Sequence, residues 1–315
     1  MDFSLINTFA GLGILTSIVT VWIIIGAFSP FLRPSKLDRY LETPDGKPAW
    51  ALVTGASDGI GKALSHKLAS RGFNVVLHGR NPAKLQLVQQ EMQATHPDRN
   101  FRTIVADATR FTHETLQDIT SQIADLNITV LISNAGVGIS DFRLLEQVSA
   151  QETDDLIRLN TTFPTLLIHA LLPTLTRRPS VVIIIGSLAD YGFPLISTYG
   201  PAKAYLRVFA KALAREARIA HPDLEVMYYP VGSVTGVSHT WTEASFMRPD
   251  SSRLARDALA RVGCGRTVVS PYWPHQLSEL FLTWLPGSIM DVVTVDQMVK
   301  LQAEGLNRGV EKKNR

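Results

Sequence analysis

Residues 54–61 read Thr54-Gly55-Ala56-Ser57-Asp58-Gly59-Ile60-Gly61, and their reading decides the fold. The apolar run Ala49–Thr54 leads into them and a helical pattern leads out near Ile60. Glycines at 55, 59 and 61 permit a tight turn and close approach of backbone to a ligand. The first N–H groups of the following helix have no intrahelical acceptor, so strand, glycine turn and helix N-terminus together form a site for a pyrophosphate. A glycine pattern by itself is an ordinary turn; its place directly after the first buried strand is what points to a dinucleotide. Thr54, Gly55, Ser57, Asp58, Gly59, Ile60 and Gly61 are the candidate contacts.

Outward from this turn, apolar runs alternate with helical stretches. Strands are expected at Ala49–Thr54, Asn74–His78, Arg102–Ala106, Ile128–Ser133, Ser180–Gly186, Glu225–Tyr229 and Thr267–Ser270. Runs such as Val181–Ile185 are apolar on consecutive residues, which suits strands buried on both faces of a parallel sheet. Helices are expected near Ile60–Ser70, Pro82–Gln93, His113–Ala124, Thr153–Leu175, Pro201–Ala220 and Ser252–Val262. Such alternation predicts a doubly wound α/β fold, a mostly parallel seven-stranded sheet with helices on both faces.

Several residues fall where the carboxyl edge of that sheet meets a ligand. The second strand ends His78-Gly79-Arg80. A fold of this kind that binds NAD carries an acid at this strand end for the ribose 2′-hydroxyl, whereas a basic residue accommodates a 2′-phosphate; Arg80 therefore predicts NADP(H). Asn134-Ala135-Gly136 follows the fourth strand, Ser187 follows the fifth, and Tyr199-Gly-Pro-Ala-Lys203 opens the next long helix. A spacing of four puts Tyr199 and Lys203 on one helix face. A fixed ammonium near a phenol favours the phenolate, which would lower the tyrosine pKa and suit it to proton transfer near neutral pH. Pro201 is tolerated because it lies in the first turn.

The chain's 315 residues allow one large α/β domain of about 265 residues behind an N-terminal segment. With 45% hydrophobic residues and a net charge of +3, the composition is that of a folded protein without a nucleic-acid-binding face. Cys264 is the single cysteine, so no intramolecular disulfide forms and a reducing compartment is the simpler inference. His66, His78, His113, His169 and His221 show no metal-ligand spacing, and no metal site is expected.

The first thirty-two residues hold one charge, Asp2. The segment could be a signal peptide, a buried core helix or a membrane span. Asp2 has the wrong sign for the first, and the absence of a polar face argues against the second. The length meets the roughly 20 apolar residues a bilayer requires. Arg33, Lys36 and Arg39 follow the span, which orients the remaining chain toward the cytosol. Residues 1–32 are thus read as an anchor, 33–48 as a linker, 49–271 as the catalytic domain and 272–315 as an amphipathic segment and tail. Within the last, Leu277–Leu285 is too short to span and either packs on the domain or lies in the membrane interface.

TGASDGIG, Asn134-Ala135-Gly136, Asn160, Ser187 and the Tyr199–Lys203 motif, in this order, resemble the classical short-chain dehydrogenase/reductase family and its Rossmann-type sheet. The anchor, Ala56–Leu64, Val105–Thr109, Val262–Pro286 and the tail lysines Lys312 and Lys313 are similar to membrane-bound very-long-chain 3-oxoacyl-CoA reductases and their 17β-hydroxysteroid dehydrogenase relatives. The resemblance implies Tyr199 as general acid in reduction and Ser187 as hydrogen-bond donor to the substrate carbonyl. It implies Lys203 on the ribose and Asn160 anchoring a water relay. Asp107 would lie by the adenine, Asn134 and Gly136 beside the cofactor, and Pro230, Gly232 and Thr235 along the nicotinamide side. The tail lysines resemble a dilysine retrieval signal and imply the endoplasmic reticulum membrane. Helix pairing through Pro201–Ala220 implies a homodimer. Two departures stand out: Ser187 is one residue closer to Tyr199 than is usual, and Gly186 replaces a second serine. The implied substrate is a lipophilic ketone: a long 3-oxoacyl-CoA, a steroid, or a specialised metabolite. A catalytically silent scaffold is the alternative, against which the full set Asn160, Ser187, Tyr199 and Lys203 argues.

Overall fold

The computed structural model describes residues 3–43, 46–137, 142–237 and 243–313. Six parallel strands form one sheet in the order β3-β2-β1-β4-β5-β6. They are β1 (Ala49–Thr54), β2 (Asn74–Gly79), β3 (Phe101–Val105), β4 (Asn127–Ser133), β5 (Ser180–Ile185) and β6 (Leu224–Tyr229). Strand order reverses between β1 and β4, and the crevice outside the carboxyl ends at such a switch point is where open α/β sheets bind ligands. β4 and β5 are buried at every position, as expected for strands covered on both faces.

Ten helices are present among the described residues: α1 (Phe3–Phe28), α2 (Gly59–Ser70), α3 (Pro82–Thr95), α4 (His113–Gln122), α5 (Ala150–Ile157), α6 (Phe163–Leu175), α7 (Tyr199–Ala220), α8 (Ser251–Ala260), α9 (Trp273–Trp284) and α10 (Gly287–Lys313). One apolar cluster joins α2, α3 and α8 to one face of the sheet through residues such as Leu64, Leu85 and Leu254. The other joins α4, α6 and α7 to the opposite face through Leu116, Leu167 and Leu206.

The sheet has six strands where seven were expected. Residues 267–270 run beside β6 and make a single parallel bridge, Tyr228 with Val268. The run cannot extend, because Ser270 gives its N–H to Gln276 and its hydroxyl to the Pro230 carbonyl, and Pro271 follows without a donor. The helix expected over Thr153–Leu175 is likewise two helices, α5 and α6, joined by a π-helical turn at Arg158–Thr162. Pro164 explains the widened turn, since it offers no N–H to the Asn160 carbonyl and its ring crowds that oxygen.

Residues 33–43 are tied closely to the domain. A short 3-10 turn, Leu37–Tyr40, buries Leu37 and Tyr40 completely. The Tyr40 hydroxyl donates to Glu225 Oε2 at 2.6 Å, and Lys36 N–H donates to the Val262 carbonyl at 2.8 Å. Pro44, Asp45 and the final Asn314-Arg315 lie outside the described residues.

Candidate active site

The turn at 54–61 is built by close approach. A Cβ at Gly61 would overlap the Gly55 carbonyl oxygen, so only glycine lets α2 start this near the end of β1. Asp58 caps the helix by accepting from Gly59 N–H at 2.7 Å. Thr54 Oγ1 accepts from the N–H groups of Asn134 and Ala135 at 2.9 and 2.8 Å. Asn134 Nδ2 donates back to the Thr54 carbonyl at 3.0 Å. These bonds lock the ends of β1 and β4 together at the switch point.

A cleft of about 690 Å³ opens along the carboxyl edge, within the range of small-molecule and cofactor sites. Gly55, Ser57, Asp58, Gly59 and Ile60 line it, as do Arg80 and Asp107 on the β2–β3 side. Asn134, Gly136, Ser187, Tyr199, Lys203 and Gly232 line the β4–β6 side. Thr54, Gly61, Asn160, Pro230 and Thr235 stand behind the wall. Pro230 accepts from the Ser270 hydroxyl, and Thr235 N–H donates to the Pro249 carbonyl.

Residues of the wall suit a dinucleotide. Arg80 has no hydrogen bond or ion pair among the described residues, and the similarly free Lys84 lines the cleft beside it. His78, buried in the same wall, has neither ring nitrogen paired. Asp107 accepts from Thr109 N–H at 2.8 Å.

Ser187, Tyr199 and Lys203 converge across the sheet from Arg80. The Ser187 side chain lies close enough to Tyr199 to act on its phenol, and its hydroxyl accepts from Ala189 N–H at 3.1 Å. Lys203 Nζ donates to the Ile185 carbonyl at 3.2 Å and lies 5.6 Å from the centre of the Tyr199 ring. A Cβ on Gly136 would lie 2.8 Å from Asn160 Oδ1 and 3.3 Å from Lys203 Nζ, so these three groups are neighbours. Asn160 Nδ2 donates to the Leu156 carbonyl at 3.1 Å, while its buried Oδ1 has no partner.

The electrostatics differ from the expectation in one respect. Tyr199 is raised above the usual phenol value, not lowered: burial dominates, partly offset by the nearby Ser187 side chain, and Asp190 adds to it. Lys203 is itself pushed down to about 8 by burial, partly offset by Asp190. Low-dielectric surroundings disfavour both charged forms.

A buried charged network beneath these residues had not been anticipated. Arg207 grips Asp190 with Nε to Oδ2 at 2.6 Å and Nη2 to Oδ1 at 3.1 Å, and reaches Glu279 Oε1 at 2.7 Å. Tyr228 Oη lies 2.7 Å from Asp190 Oδ2 and 3.1 Å from the Lys203 carbonyl, and accepts from Ser187 N–H at 3.3 Å. The signal was present: Arg207 continues the Tyr199, Lys203 row at the next i+4 step. Tyr228 also explains Gly186, since a Cβ there would overlap Cζ, Oη and Cε2 of its ring. His275 accepts from Gly232 N–H at 3.1 Å through Nδ1, and its Nε2 lies 3.2 Å from the Met247 carbonyl. Burial holds this imidazole down at about 4.

Beside Tyr199 the wall is apolar. Leu195, Ile196 and Met298 form a small cluster onto which Phe142, Phe193, Tyr199 and Leu301 pack. Met298 and Leu301 belong to α10, so the C-terminal helix closes this end of the cleft. Past β6, Phe246 and Met247 are exposed, and Trp241 lies outside the described residues.

The short chain dehydrogenase family matches this chain over residues 49–240. A very-long-chain 3-oxoacyl-CoA reductase of Coccidioides immitis is 30% identical over 276 residues, covering 84% of this chain and 77% of that protein. An inactive hydroxysteroid dehydrogenase-like protein 1 of Homo sapiens is also 30% identical, over 75% of this chain and 72% of its own. Among solved structures, a metagenomic short-chain oxidoreductase in complex with NADP is 26% identical, with a TM-score of 0.58 over 70% of this chain and 96% of that one.

Proposed function

The chain belongs to the short-chain dehydrogenase family of oxidoreductases acting between CH–OH and C=O, and from that membership we propose that it is an NADP(H)-dependent reductase of a lipophilic ketone, a long-chain 3-oxoacyl-CoA. The observation that carries the reading is the meeting of Ser187, Tyr199 and Lys203 in one cleft whose far side holds the free Arg80 guanidinium. Arg80 and Lys84 suit a 2′-phosphate, and the N-terminus of α2 suits the pyrophosphate. Bound there, the dinucleotide supplies the hydride that the ketone carbon receives.

Tyr199 gives its Oη proton to the substrate oxygen. Burial keeps the phenol protonated, which is the form a reduction uses. Ser187 donates to the same oxygen as negative charge develops on it. Lys203 places a cation near the phenolate left behind, and the unpaired Oδ1 of Asn160 beside it supports a water relay that returns the proton. The apolar wall of Leu195, Ile196, Phe193, Met298 and Leu301 favours a lipophilic acyl or ring system next to the reacting carbonyl.

Phe9–Leu32 is long and apolar enough to cross a bilayer, and none of its most apolar stretch is buried within the protein. With Arg33, Lys36 and Arg39 behind it and lysines at 312 and 313, it supports an endoplasmic reticulum anchor with the domain in the cytosol. Exposed Tyr205, Val208 and Ile219 on α7 support a homodimer through that helix.

The test is oxidation of NADPH by detergent-solubilised full-length protein with 3-oxoacyl-CoAs of several lengths, steroid ketones and a Tyr199→Phe control. Turnover on long acyl chains, lost in the variant, is expected. Turnover confined to another ketone moves the substrate class. The human relative described as inactive makes a silent scaffold the second reading, and cofactor binding without turnover on any ketone would favour it.

A further inference from the structure

Helix α9 is inside out. In a helix packed on a water-soluble domain the apolar stripe faces inward. Here His275, Gln276 and Glu279 are buried, while Trp273, Leu277, Phe281 and Trp284 are 43%, 45%, 57% and 50% exposed. The outward four recur at steps of four, four and three, so they form one continuous row. Each inward polar group has a partner. His275 meets Gly232 N–H and the Met247 carbonyl, Gln276 accepts from Ser270 N–H, and Glu279 meets Arg207 and the Ser270 hydroxyl. The helix therefore cannot rotate to hide its apolar row without breaking those bonds.

We propose that this row is a second membrane contact, lying in the headgroup–acyl boundary of the same bilayer that α1 enters; the proposal rests on reading α1 as membrane-spanning. Continuity with α1 identifies the occupant, because α9 packs directly against α1. The foot of α1 is fixed to the domain: Arg266 Nη2 donates to the Gly26 carbonyl at 2.7 Å, Arg261 Nη1 to the Pro30 carbonyl at 2.6 Å, and Arg33 Nη1 to the Cys264 carbonyl at 2.6 Å. Arg261 is buried, while the exposed Arg33 and Arg266 stand where anionic headgroups meet the end of a span. Tryptophans at both ends of the row suit the same depth, where amphipathic rings concentrate. After Pro286 the chain enters α10, which begins with exposed Ile289 and Val292 and goes on to line the cleft with Met298 and Leu301. The lipid-facing helix is thus one turn of chain away from the helix that walls the substrate.

The experiment uses full-length protein in vesicles of phosphatidylcholine and phosphatidylserine. An environment-sensitive fluorophore is attached in turn at Phe281→Cys, Leu277→Cys, Ile18→Cys on α1 and Gln90→Cys on α3; the native Cys264 is buried and does not compete. Quenching by lipids spin-labelled near the top of the acyl chain is then read. Both α9 labels should lose fluorescence by about twofold, as expected for side chains about 5–10 Å into the boundary, while the α3 label is unaffected. Quenching at Ile18→Cys with neither α9 label quenched overturns the proposal and leaves the anchor standing. Quenching at none of the four removes the anchor and the proposal together. Labels on α9 that are shielded from lipid and water alike would mean a protein covers the row, which also overturns it.

Discussion

Replacing Gly186 by alanine tests the link between the end of β5 and Tyr228. The new Cβ would overlap three atoms of a fully buried ring, so the ring or the strand end must move. Overpacking of this kind costs about 1–3 kcal/mol. A displaced ring also loses its contacts with Asp190 and the Ser187 N–H, of which a hydrogen bond to a charged group is worth about 1.5–3 kcal/mol and a neutral one about 1. Gly186→Ala should therefore lose about 3.5–7 kcal/mol. Tyr228→Ala alone should lose about 3–5 kcal/mol as a large-to-small change in the core. Because the second change removes the atoms the first collides with, the double variant should be at least about 2 kcal/mol more stable than the two losses added together, a coupling expected of residues in contact. Denaturant unfolding of the detergent-solubilised protein gives all three values. Additivity within about 0.5 kcal/mol would refute the steric account of Gly186.

Arg80→Ala should raise the KM for NADPH by about 10–100-fold, the loss of one charge-assisted interaction of about 1.5–3 kcal/mol, and leave that for NADH nearly unchanged; steady-state kinetics with both cofactors checks it. Reduction should fall as pH rises through about 8, where Lys203 loses its proton. Asp190→Asn removes the charge that supports that proton and should move the alkaline limb to lower pH, read from the pH–rate profile. His78 and His275 are held neutral to about 4 against 6.5 in the unfolded chain. The unfolded state therefore takes up protons first as pH falls, and the stability present above about 6.5 should drop toward pH 4 by about 3 kcal/mol for each histidine. His78→Leu should remove one share of that acid sensitivity in thermal unfolding measured across the range.

The sheet was readable because β1, β2, β4 and β5 are apolar at consecutive positions, and the glycine turn because only that spacing fits strand to helix. The seventh strand was over-read: residues 267–270 have strand composition, but Ser270 bonds elsewhere and Pro271 ends the run. The π-helical turn at Asn160 left only the signal of Pro164, which reads equally as a kink. Ser187, Tyr199, Lys203 and Asn160 were legible through spacing and resemblance. Asp190, Tyr228 and Glu279 were not, since they come from separate elements that only tertiary structure joins. The direction of the Tyr199 shift was missed for the same reason: a four-residue spacing shows the nearby cation, whereas burial, the larger effect, is a property of the whole wall. Nor could the inverted face of α9 be read from composition, because Leu277, Phe281 and Trp284 look the same facing core or lipid.

The central claim is hydride delivery to a ketone with Tyr199 as proton donor. Its most direct measurement is transfer of deuterium from C4-labelled NADPH to the carbinol carbon of a long-chain 3-hydroxyacyl-CoA, followed by mass spectrometry in wild type and Tyr199→Phe. The account predicts label on that carbon in the wild type and almost none in the variant, with NADPH still bound by both. Undiminished transfer in Tyr199→Phe, or NADPH bound by the wild type with no labelled alcohol from any ketone, would contradict it.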